Sequence, residues 1–549
     1  MKIGMKMESA DTPAQAAGLS TLPRQKKLMT MAGVFMAMFL SSLDHTIVGT
    51  AMPRIMADLG GFGQYTLISS VYIVASAIVM PITGRLTDMY GRKPFYVGGL
   101  IIFIASSVGC GFSHTLAQMV IWRAIKGLGG GIMMATGFTV IGDLFPPARR
   151  GRYIGIGSAL FGLAAVVGPI LGGIITDRFS WPWVFFINVP LGVVVVILFL
   201  IYFPYMRPDS KPHRIDFAGI ITLILTVLSF MLALAWGGGR YPWFSVQIAV
   251  VMGFSLAMLA IFIWIEWHCQ EPILPLSLFG NSIVVLCLAI IFLSGFGMYG
   301  SVIFIPLFFQ GVLGVTATTS GSILTPMMLG VIGGSFISGN LMSRAGGHYK
   351  RQGYAGIAVM ALGMWLLSRM DAGTSTTHGL INVALAGFGL GITLPLYTIA
   401  LQNAVPYGLL GVATSSAPFF RLLGGACGLA IFGAVMRHRF ALELRSGLSE
   451  SLKAALPQDL LLNMANNPQV LVDPERQKQL EVALTQAASQ VAGADLFQQL
   501  LQSLRHCLEA ALSRTFFVAL ITVVIALVCH LFLKEIPLRA RHTPSDMVG

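Results

Sequence analysis

The clearest shortage in this 549-residue sequence is of charged side chains: Asp, Glu, Lys and Arg make up 10% of it and apolar residues 55%. So little charge cannot cover a water-soluble globule of this size, and the mean hydropathy of +0.78 indicates a membrane protein. The six scattered cysteines include no CxxC pair and imply no disulfide framework. GxxxxGK[ST], HExxH and GxSxG are also missing, which disfavours an ATP-driven pump and a membrane enzyme.

Apolar stretches long enough to cross a bilayer recur along the whole sequence. A spanning helix needs about 20 such residues, and fourteen stretches meet that requirement. The ten-residue alternation of barrel strands is missing, so the sequence predicts an all-α polytopic membrane protein. The predicted spans are 30–52, 66–87, 94–112, 115–141, 151–175, 183–204, 215–236, 245–267, 282–310, 318–343, 352–370, 378–404, 411–437 and 515–536.

The basic residues follow the loops and do not indicate a nucleic-acid partner, although the formal net charge is +13. Short loops after even-numbered spans are rich in Arg and Lys, which the positive-inside rule places in the cytoplasm. The tails over 1–29 and 537–549 are then cytoplasmic, and the protein is predicted to lie in the cell (inner or plasma) membrane. These loops carry Arg92, Lys93, Arg149, Arg150, Arg152, Arg207, Lys211, Arg214, Arg344, Lys350 and Arg351.

One connection, residues 438–514, is far longer than the others and is predicted on the outer face. Its second half begins with Asp473 and Pro474, which suit a helix N-cap and first helical position. Apolar residues follow at helical spacing. The pattern is typical of an amphipathic helix that lies on the outer mouth or leads into the last span. A solvated helical hairpin without a transport role is the favoured interpretation, because amphipathicity alone is a weak signal.

The stretch GRLTDMYGRKP, between the second and third spans, combines a glycine turn, a carboxylate at a helix end and a basic pair. Here the chain resembles the major facilitator superfamily, whose signature is Gly-x-Leu-x-Asp-x-x-Gly-Arg-Lys. The resemblance implies two six-helix bundles, over 30–204 and 282–536, with two inserted linker helices in 205–267. A turn that serves only topology is the alternative. The matching residues are Gly84, Leu86, Asp88, Gly91, Arg92 and Lys93.

The resemblance also implies that this loop is a conformational lock. Asp88 and Arg92 are expected to interact with each other and with an acid at the end of the fourth span, where Asp143 lies. They are also expected to meet a helix N-terminus in the opposite half. The thirteenth span begins near Gly411 and would offer its positive dipole end to Asp88.

A second copy of the loop pattern indicates internal duplication. GRLTDMYG (84–91) ends the second span and GNLMSRAG (339–346) ends the tenth, with Gly, Leu and Gly at matching offsets. Asp88 in the first copy corresponds to Ser343 in the second. Both copies fall on the side predicted to be cytoplasmic, so the two halves are predicted to run in parallel topology.

The fifth span contains GLAAVVGPILGG (162–173), which is similar to the antiporter signature of the same superfamily. Glycines along one helix face permit close approach of a neighbouring backbone, and a proline removes a hydrogen bond and allows a bend. Together they predict a tight but hinged contact between the halves. The residues that match are Gly162, Gly168, Pro169, Gly172 and Gly173.

Two further stretches resemble the fourteen-helix drug:proton antiporters of the EmrB/QacA type. They are WPWVFFINVPLG (181–192) at the entry of the sixth span and LDHTIVGTAMP (43–53) in the first, where Gly49 replaces a common Asn. The tryptophans of the first stretch also fit a plain interfacial belt. The resemblance to this group covers nearly the whole chain.

Asp44 lies in the first span, ~20 Å from the cytoplasmic edge at 1.5 Å per residue. Arg123 lies at a similar depth and is predicted to pair with it, because intramembrane ions usually pair. RAIKGLGGG (123–131) resembles the superfamily motif Arg-x-x-x-Gly-x-Gly, whose arginine is associated with proton transfer. Lys126, where many relatives carry Gln, either restrains proton uptake by Asp44 or itself loses a proton. A permanent salt bridge is the alternative.

The remaining charges rank lower. Arg421, about ten residues into the thirteenth span, is a secondary candidate, with Gln402 and Asn403 as polar options for its partner. The tenth span contains no acid, which makes divalent cations a weaker prediction than monovalent lipophilic, neutral or anionic compounds. Charges at predicted helix ends are expected to be solvated: Asp177, Arg178, Asp216, Glu266 and Glu271.

These features predict a proton-coupled multidrug exporter that works by alternating access. A proton from outside would neutralise Asp44 and weaken its hold on Arg123 and on a cationic substrate. The expected partners are the bilayer and small lipophilic substrates, with protons as coupling ion, no other cofactor, no metal and no enzyme activity. The sequence does not indicate whether a periplasmic adaptor protein is a further partner. The alternatives are a dedicated exporter of one metabolite, such as a siderophore, and a non-transporting receptor or scaffold.

Overall fold

The structure, a computed structural model, describes residues 22–59, 65–205, 214–238, 240–315, 323–344, 348–448 and 490–538. Within these ranges the regular structure is helical, apart from one isolated bridge between Gly237 and Tyr241. The amphipathic helix predicted from Asp473 lies outside the described residues. So do most of the two predicted tails.

The described residues form fourteen long helices in the order predicted. In chain order they are α1 (Arg24–Leu59), α2 (Tyr65–Tyr90), α3 (Arg92–Gly111), α4 (Leu116–Leu144), α5 (Pro147–Arg178), α6 (Trp183–Tyr202), α7 (Phe217–Trp236), α8 (Val246–His268), α9 (Ser282–Gly311), α10 (Leu324–Arg344), α11 (Tyr349–Ser368), α12 (Thr376–Asn403), α13 (Leu410–Gly447) and α14 (Gln490–Leu531).

Thirteen of these helices are long and apolar enough to cross a membrane, one fewer than predicted. The exception is α11, which is 20 residues long. Its first turn carries Lys350, Arg351 and Gln352, which lower its mean hydropathy. The all-α membrane fold is confirmed, and α11 owes its place to contacts with α12 and α14.

The helices pair in a pattern that occurs twice. In the first half α4 packs on α2 and α3, α1 packs on α5 and α6, and α3 packs on α6. Eight helices later, α12 packs on α10 and α11, α9 packs on α13 and α14, and α11 packs on α14. The inserted α7 and α8 pair with each other, and α7 also contacts α2 and α13. This repetition is what a parallel duplication produces.

The helices α13 and α14 extend well into residues 438–514, which the hydropathy pattern predicted as an outer loop. Apolar side chains continue along both helices beyond the predicted spans and are buried, among them Phe440, Leu444, Leu500 and Leu504. The helices persist because they pack on each other there, which a hydropathy window cannot detect. The prediction of a loop over this whole range is therefore wrong.

Two carboxylates of the inserted helices are buried, contrary to the expectation that they are solvated. Asp216 accepts a hydrogen bond from the backbone N of Gly219 at 2.7 Å and thereby caps α7. Glu266, in the last turn of α8, accepts from the backbone N of Ile273 and of Leu274, each at 3.1 Å. Hydrogen bonds from the backbone therefore hold both carboxylates out of solvent, since the carboxylates satisfy donors that would otherwise be buried without an acceptor.

The two halves meet at one end of the bundle, where α2 and α10 end and α5 and α13 begin. We call this the basic end, because Arg92, Arg149, Arg150 and Arg344 lie there. The main contacts between halves are α5 with α10 and α2 with α13, which occupy equivalent positions in the duplication. The structure is therefore closed at the basic end.

Candidate functional site

Asp44, halfway along α1, contacts two cations of α4. Its Oδ2 accepts from Nη1 of Arg123 at 2.7 Å, and its Oδ1 accepts from Nζ of Lys126 at 2.5 Å. Arg123 and Lys126 lie three residues apart and so project from the same face of α4. The structure thus brings together the three residues predicted for proton coupling. We call Asp44, Arg123 and Lys126 the charge cluster.

The charge cluster is enclosed within the first half of the molecule. Asp44 and Lys126 are 0% exposed and Arg123 is 1% exposed. A third donor, Nδ2 of Asn188 on α6, reaches Oδ1 of Asp44 at 3.3 Å. With one carboxylate and two basic side chains, the cluster has a net charge of +1 when all three are ionised. Such burial is tolerated only with close pairing.

Aromatic rings lie close to both cations of the cluster. The guanidinium of Arg123 lies 4.4 Å from the ring centroid of Tyr72. Nζ of Lys126 lies 4.8 Å from the ring of Phe103 and 5.0 Å from that of Phe185. Ring faces attract cations, so they partly replace the water that both side chains have lost.

The expectation that Asp44 holds a cationic substrate directly is not met in this conformation. Its carboxylate faces α4 and α6 and has no exposed surface. The next residue, His45, is exposed and packs edge-on against Tyr72, with 6.0 Å between ring centroids. Any effect of Asp44 on a substrate in this state therefore acts through the charge of the cluster.

Glycines of RAIKGLGGG let α4 come close to its neighbours. A methyl group on Gly127 would overlap the backbone oxygen of Tyr72 on α2, and one on Gly129 would overlap the backbone of Phe103 on α3. This close approach holds the rings of Tyr72 and Phe103 against the cations. The motif thus positions the cluster in addition to supplying Arg123.

The lock residues Asp88, Arg92 and Asp143 lie together at the basic end. Nη1 of Arg92 lies 2.5 Å from Oδ1 of Asp88, and its Nε donates to Oδ2 of Asp143 at 2.9 Å. Asp88 also accepts from the backbone N of Gly411 at 2.9 Å and of Val412 at 3.0 Å. The first turn of α13 has no side-chain cap of its own. Asp88 from the opposite half thus caps α13 and meets its positive dipole end.

The glycines of the lock have separate roles. Gly91 separates α2 from α3, because its φ of +90° is not helical and favours glycine. A methyl group on Gly84 would overlap the side chain of Ser415 and the backbone oxygen of Gly411, so Gly84 permits the crossing of α2 and α13. Lys93 lies apart and donates to the backbone oxygen of Leu200 at 3.1 Å.

A related contact closes the other side of the basic end. Ser343, the counterpart of Asp88 in the second half, accepts from the backbone N of Arg152 on α5 at 3.0 Å. Gly339, the counterpart of Gly84, packs on Gly151 so closely that a methyl group on either would meet the backbone of the other. The duplication therefore provides two crossings between halves, of which one carries a charge and one is neutral.

A polar bridge missed by the sequence analysis lies between these crossings. Nη1 of Arg150 donates to Oε1 of Gln402 on α12 at 3.3 Å. Nε2 of Gln402 donates to Oγ1 of Thr414 at 3.1 Å and to the backbone oxygen of Phe138 at 3.3 Å. Gln402 had been considered only as an option for Arg421. No local pattern marks it, because its partners are far apart in sequence.

The glycine motif of α5 contacts two different neighbours. Gly162 lies against Ile332 and the backbone of Met328 on α10, in the opposite half. Gly168 and Gly172 instead face Thr46 and Ile47 or Thr50 on α1, in the same half, and Gly173 has nothing within 4 Å of where a Cβ would lie. Among the glycines of the motif, the predicted contact between halves thus holds for Gly162 alone. Pro169 is inside α5, between the glycines that contact α1.

Arg421 lies on α13 and is half-buried. Its backbone packs against Gly295 of α9, in the same half. Its helix also carries Gly411 and Val412, which bond to Asp88, but Arg421 lies nine residues beyond Val412 and therefore more than two turns away. The structure does not bring Arg421 together with either group, and it stays a secondary candidate.

The chain is similar to known proteins over nearly its whole length. Residues 34–429 match the family model of the Major Facilitator Superfamily. The chain is 39% identical over 515 residues to the multidrug transporter protein MdtP of Bacillus subtilis (strain 168), covering 94% of each chain. It is 35% identical over 517 residues to multidrug resistance protein 3 of the same organism, covering 94% of this chain and 97% of that one.

Two solved structures are similar in fold. The human organic anion transporter MFSD10 (TETRAN) has a TM-score of 0.57 at 13% identity, covering 91% of this chain and 100% of that one. The proton:xylose symporter XylE has a TM-score of 0.53 at 12% identity, covering 93% and 96%. At such low identity the likeness concerns the arrangement of helices alone.

Proposed function

Because the chain belongs to the major facilitator superfamily, we propose that it exports small lipophilic molecules from the cell in exchange for protons. We further propose that it belongs to the fourteen-helix drug:proton antiporters. The names of its relatives in Bacillus subtilis, a multidrug transporter and a multidrug resistance protein, support drug efflux. Family membership also fits a transporter better than an enzyme.

The observation that carries the proposal is the buried charge cluster. Asp44 is the only carboxylate that the sequence places near the middle of a predicted span. Each intramembrane ion costs at least ~2.5–3.5 kcal/mol on insertion scales, and such residues are usually functional. Three such ions lie together between α1 and α4. Gain or loss of one proton there changes the net charge of a buried site and therefore its electrostatic energy.

Alternating access needs an end of the bundle that can close and open. We propose that the lock, formed by Asp88, Arg92 and Asp143, holds the basic end closed. Opening the basic end breaks the hydrogen bonds of Asp88 to α13 and the bridge from Arg150 to Gln402, while each half keeps its internal pairs. The energy source proposed is proton entry, which supplies ~2.3 kcal/mol per 100 mV of membrane potential. The basic end is proposed to face the cytoplasm, as are both termini, in the cell membrane.

A dedicated exporter of one metabolite would use the same cluster and lock. The similarity to relatives named for multidrug transport, over 94% of the chain, favours the broader substrate range. Susceptibility of a deletion strain to a panel of unrelated toxic compounds separates the two. Sensitivity to several chemical classes supports multidrug export, whereas sensitivity to one class supports the dedicated exporter.

The experiment that tests the proposal compares Asp44→Asn with the unmodified protein in proteoliposomes that carry an imposed pH gradient. We expect the variant to lose gradient-driven export at least tenfold, because a neutral amide cannot balance both cations. Asp177→Asn is the matched control, since Asp177 is exposed at the end of α5. Undiminished export by correctly folded Asp44→Asn would exclude the cluster from coupling.

A further inference from the structure

The charge cluster holds one anion and two cations, and this excess of positive charge decides which group can exchange a proton. An arginine side chain does not lose its proton in proteins. Exchange is therefore limited to the carboxylate of Asp44 and the amine of Lys126. The two choices leave different charges behind in a site with no contact with water.

Proton uptake by Asp44 would raise the charge of the cluster to +2. Arg123 and Lys126, three residues apart on one helix face, would then repel each other without a buried counter-ion. Proton loss by Lys126 instead lowers the net charge to zero. Asp44 and Arg123 remain as a pair at 2.7 Å, which is the cheapest ionic state for a buried site.

The surroundings of Lys126 compensate its positive charge only in part. Among the residues that the structure describes, Asp44 is the only hydrogen-bond acceptor of Nζ. The rings of Phe103 and Phe185 from α3 and α6 also lie near Nζ, and they replace only part of the water that the ammonium has lost. The other ionisable groups near it are Arg123 on the same helix and the thiol of Cys110 on α3.

The carboxylate of Asp44 keeps hydrogen-bond donors on both oxygens when Lys126 becomes neutral. Asn188 donates to Oδ1, the same oxygen that Lys126 contacts, while Arg123 holds Oδ2. When Lys126 becomes neutral, each carboxylate oxygen therefore keeps a donor other than the ammonium. Of the titratable neighbours, Tyr72 contacts both His45 and Arg123, and the structure shows no hydrogen bond from the side chain of His45 or Tyr72 to Asp44.

We propose that Lys126, and not Asp44, carries the coupling proton. The inference rests on the proposed function and assigns the group within its site. In the step, the Nζ–H bond of the ammonium breaks, the electron pair stays on Nζ, and the proton passes to a water molecule that reaches Nζ when the cluster, enclosed in this conformation, opens during the transport cycle. Asp44 stays a carboxylate throughout and positions Lys126 and Arg123.

The assignment gives a reason for exchange with a lipophilic monocation. While Lys126 is protonated, the excess positive charge of the cluster repels a cationic substrate that approaches the first half. Loss of that proton removes the repulsion, so substrate and proton compete without touching each other. The total charge of the loaded site stays the same when one monocation replaces one proton.

The first test measures proton release when tetraphenylphosphonium, a lipophilic monocation, binds to the purified full-length protein in weakly buffered detergent solution. We expect release by the unmodified protein and loss of that release in Lys126→Arg and Lys126→Gln. An arginine keeps the positive charge but cannot give up its proton. Lys26→Arg, at an exposed position, is the control and is expected to release protons normally.

The outcomes separate the inference from the proposed function. If the unmodified protein binds tetraphenylphosphonium without releasing protons, the proposed proton exchange fails for this substrate class, and the inference fails with it. If release persists in Lys126→Arg, only the assignment to Lys126 is overturned. Lys126→Gln removes the charge without adding volume, so it tests the assignment if the arginine variant does not fold.

A second measurement identifies the protonated group directly in the unmodified protein. Infrared difference spectra between acidic and alkaline pH show a carboxylic acid band whenever a carboxylate takes up a proton. We expect the spectra of the unmodified protein and of Asp44→Asn to show the same carboxylic acid bands, because Asp44 does not take up a proton. A band that depends on Asp44 would overturn the assignment, because Asp44 would then be the proton carrier.

Discussion

Asp88 and Asp44 are both buried carboxylates beside arginine, and their surroundings give them different tasks. Asp88 bonds across the two halves, to the backbone of Gly411 and Val412, whereas Asp44 bonds only within the first half. A change at Asp88 therefore alters the contact between halves. A change at Asp44 alters the charge within one half, so single substitutions can separate the proposed gating from the proposed coupling.

Asp88→Asn is expected to shift the protein toward a state that is open at the basic end. The amide offers one acceptor oxygen where the carboxylate offers two, and it loses the ion pair with Arg92. Hydrogen bonds to charged groups contribute about 1.5–3 kcal/mol, so the open state should gain roughly 10- to 100-fold in population. Double electron–electron resonance between spin labels at 149 and 344, exposed positions in opposite halves, measures this shift.

Asp371→Asn is the control for this prediction, because Asp371 is exposed and its side chain bonds to Thr374 of its own loop. Its distance distribution should match that of the unmodified protein. An unchanged distribution in Asp88→Asn would mean that the helix cap and the ion pair do not hold the basic end closed.

Local sequence patterns predict the ionic partners better than the neutral ones. Asp44 and Arg123 could be paired from their depth, and Asp88 could be assigned to the start of α13 from its motif. Asn188 and Gln402 could not, since a single amide in an apolar segment has no distinguishing pattern. Their roles depend on helix rotation and tertiary packing, which spacing along the chain does not determine.

Among the helices, α5 shows how one glycine motif serves two interfaces. Gly162 faces α10 of the other half, whereas Gly168 and Gly172 face α1 of the same half. Thr46 of α1 also donates to the backbone oxygen of Ala164 at 2.9 Å. The segment after Gly162 therefore belongs to the first half, and the hinge predicted around Pro169 lies within one half.

Substitutions along this motif should have graded effects. In Gly168→Ala the new methyl group would overlap Oγ1 of Thr46, so we expect separation of α1 and α5 and a loss of about 1–3 kcal/mol in stability from overpacking. Gly173→Ala should be neutral or slightly stabilising, because nothing lies within 4 Å and alanine favours helix. Thermal unfolding in detergent measures both.

Gly253→Ala, in open space on α8, is the control for the alanine substitution itself. Equal effects of Gly168→Ala and Gly173→Ala would contradict this packing of α5. In that case the motif would act along its whole length in the contact between halves.

The lengths of helices are less predictable than their existence. Hydropathy located all fourteen helices, but α13 and α14 continue far beyond the apolar spans because they bury Phe440 and Leu500 against their partners. Similarly, Glu266 was expected in solvent and is 3% exposed, since the chain after α8 folds back to donate to it. Both results depend on contacts between segments that a window of sequence does not contain.

The molecule as a whole is two similar halves joined at one end. The crossings of α2 with α13 and of α5 with α10 are equivalent in the duplication, but only the first carries Asp88. The sequence predicted the parallel halves from the repeated loop pattern. It could not predict that the structure would be closed at the basic end, because both conformations share the same helices and local motifs.

The charge cluster lies in one half, whereas transport requires both halves to move. The link must therefore be electrostatic or act through α4 and α5, which connect the cluster to the crossing with α10. Under the proposed exchange, the net charge of the cluster differs between the loaded states, and proton movement is then expected to be obligatory for transport. Without such coupling the three charges would have a structural role only, at a cost in desolvation free energy, and the protein would be a passive carrier.

The most direct test uses proteoliposomes of the unmodified protein with an outward gradient of tetraphenylphosphonium, no imposed pH difference and the membrane potential clamped at zero. We expect tetraphenylphosphonium efflux to drive protons inward and acidify the lumen, and we expect Asp44→Asn to abolish this acidification. Substrate efflux without any proton movement, or with protons moving in the same direction as the substrate, would contradict drug:proton exchange.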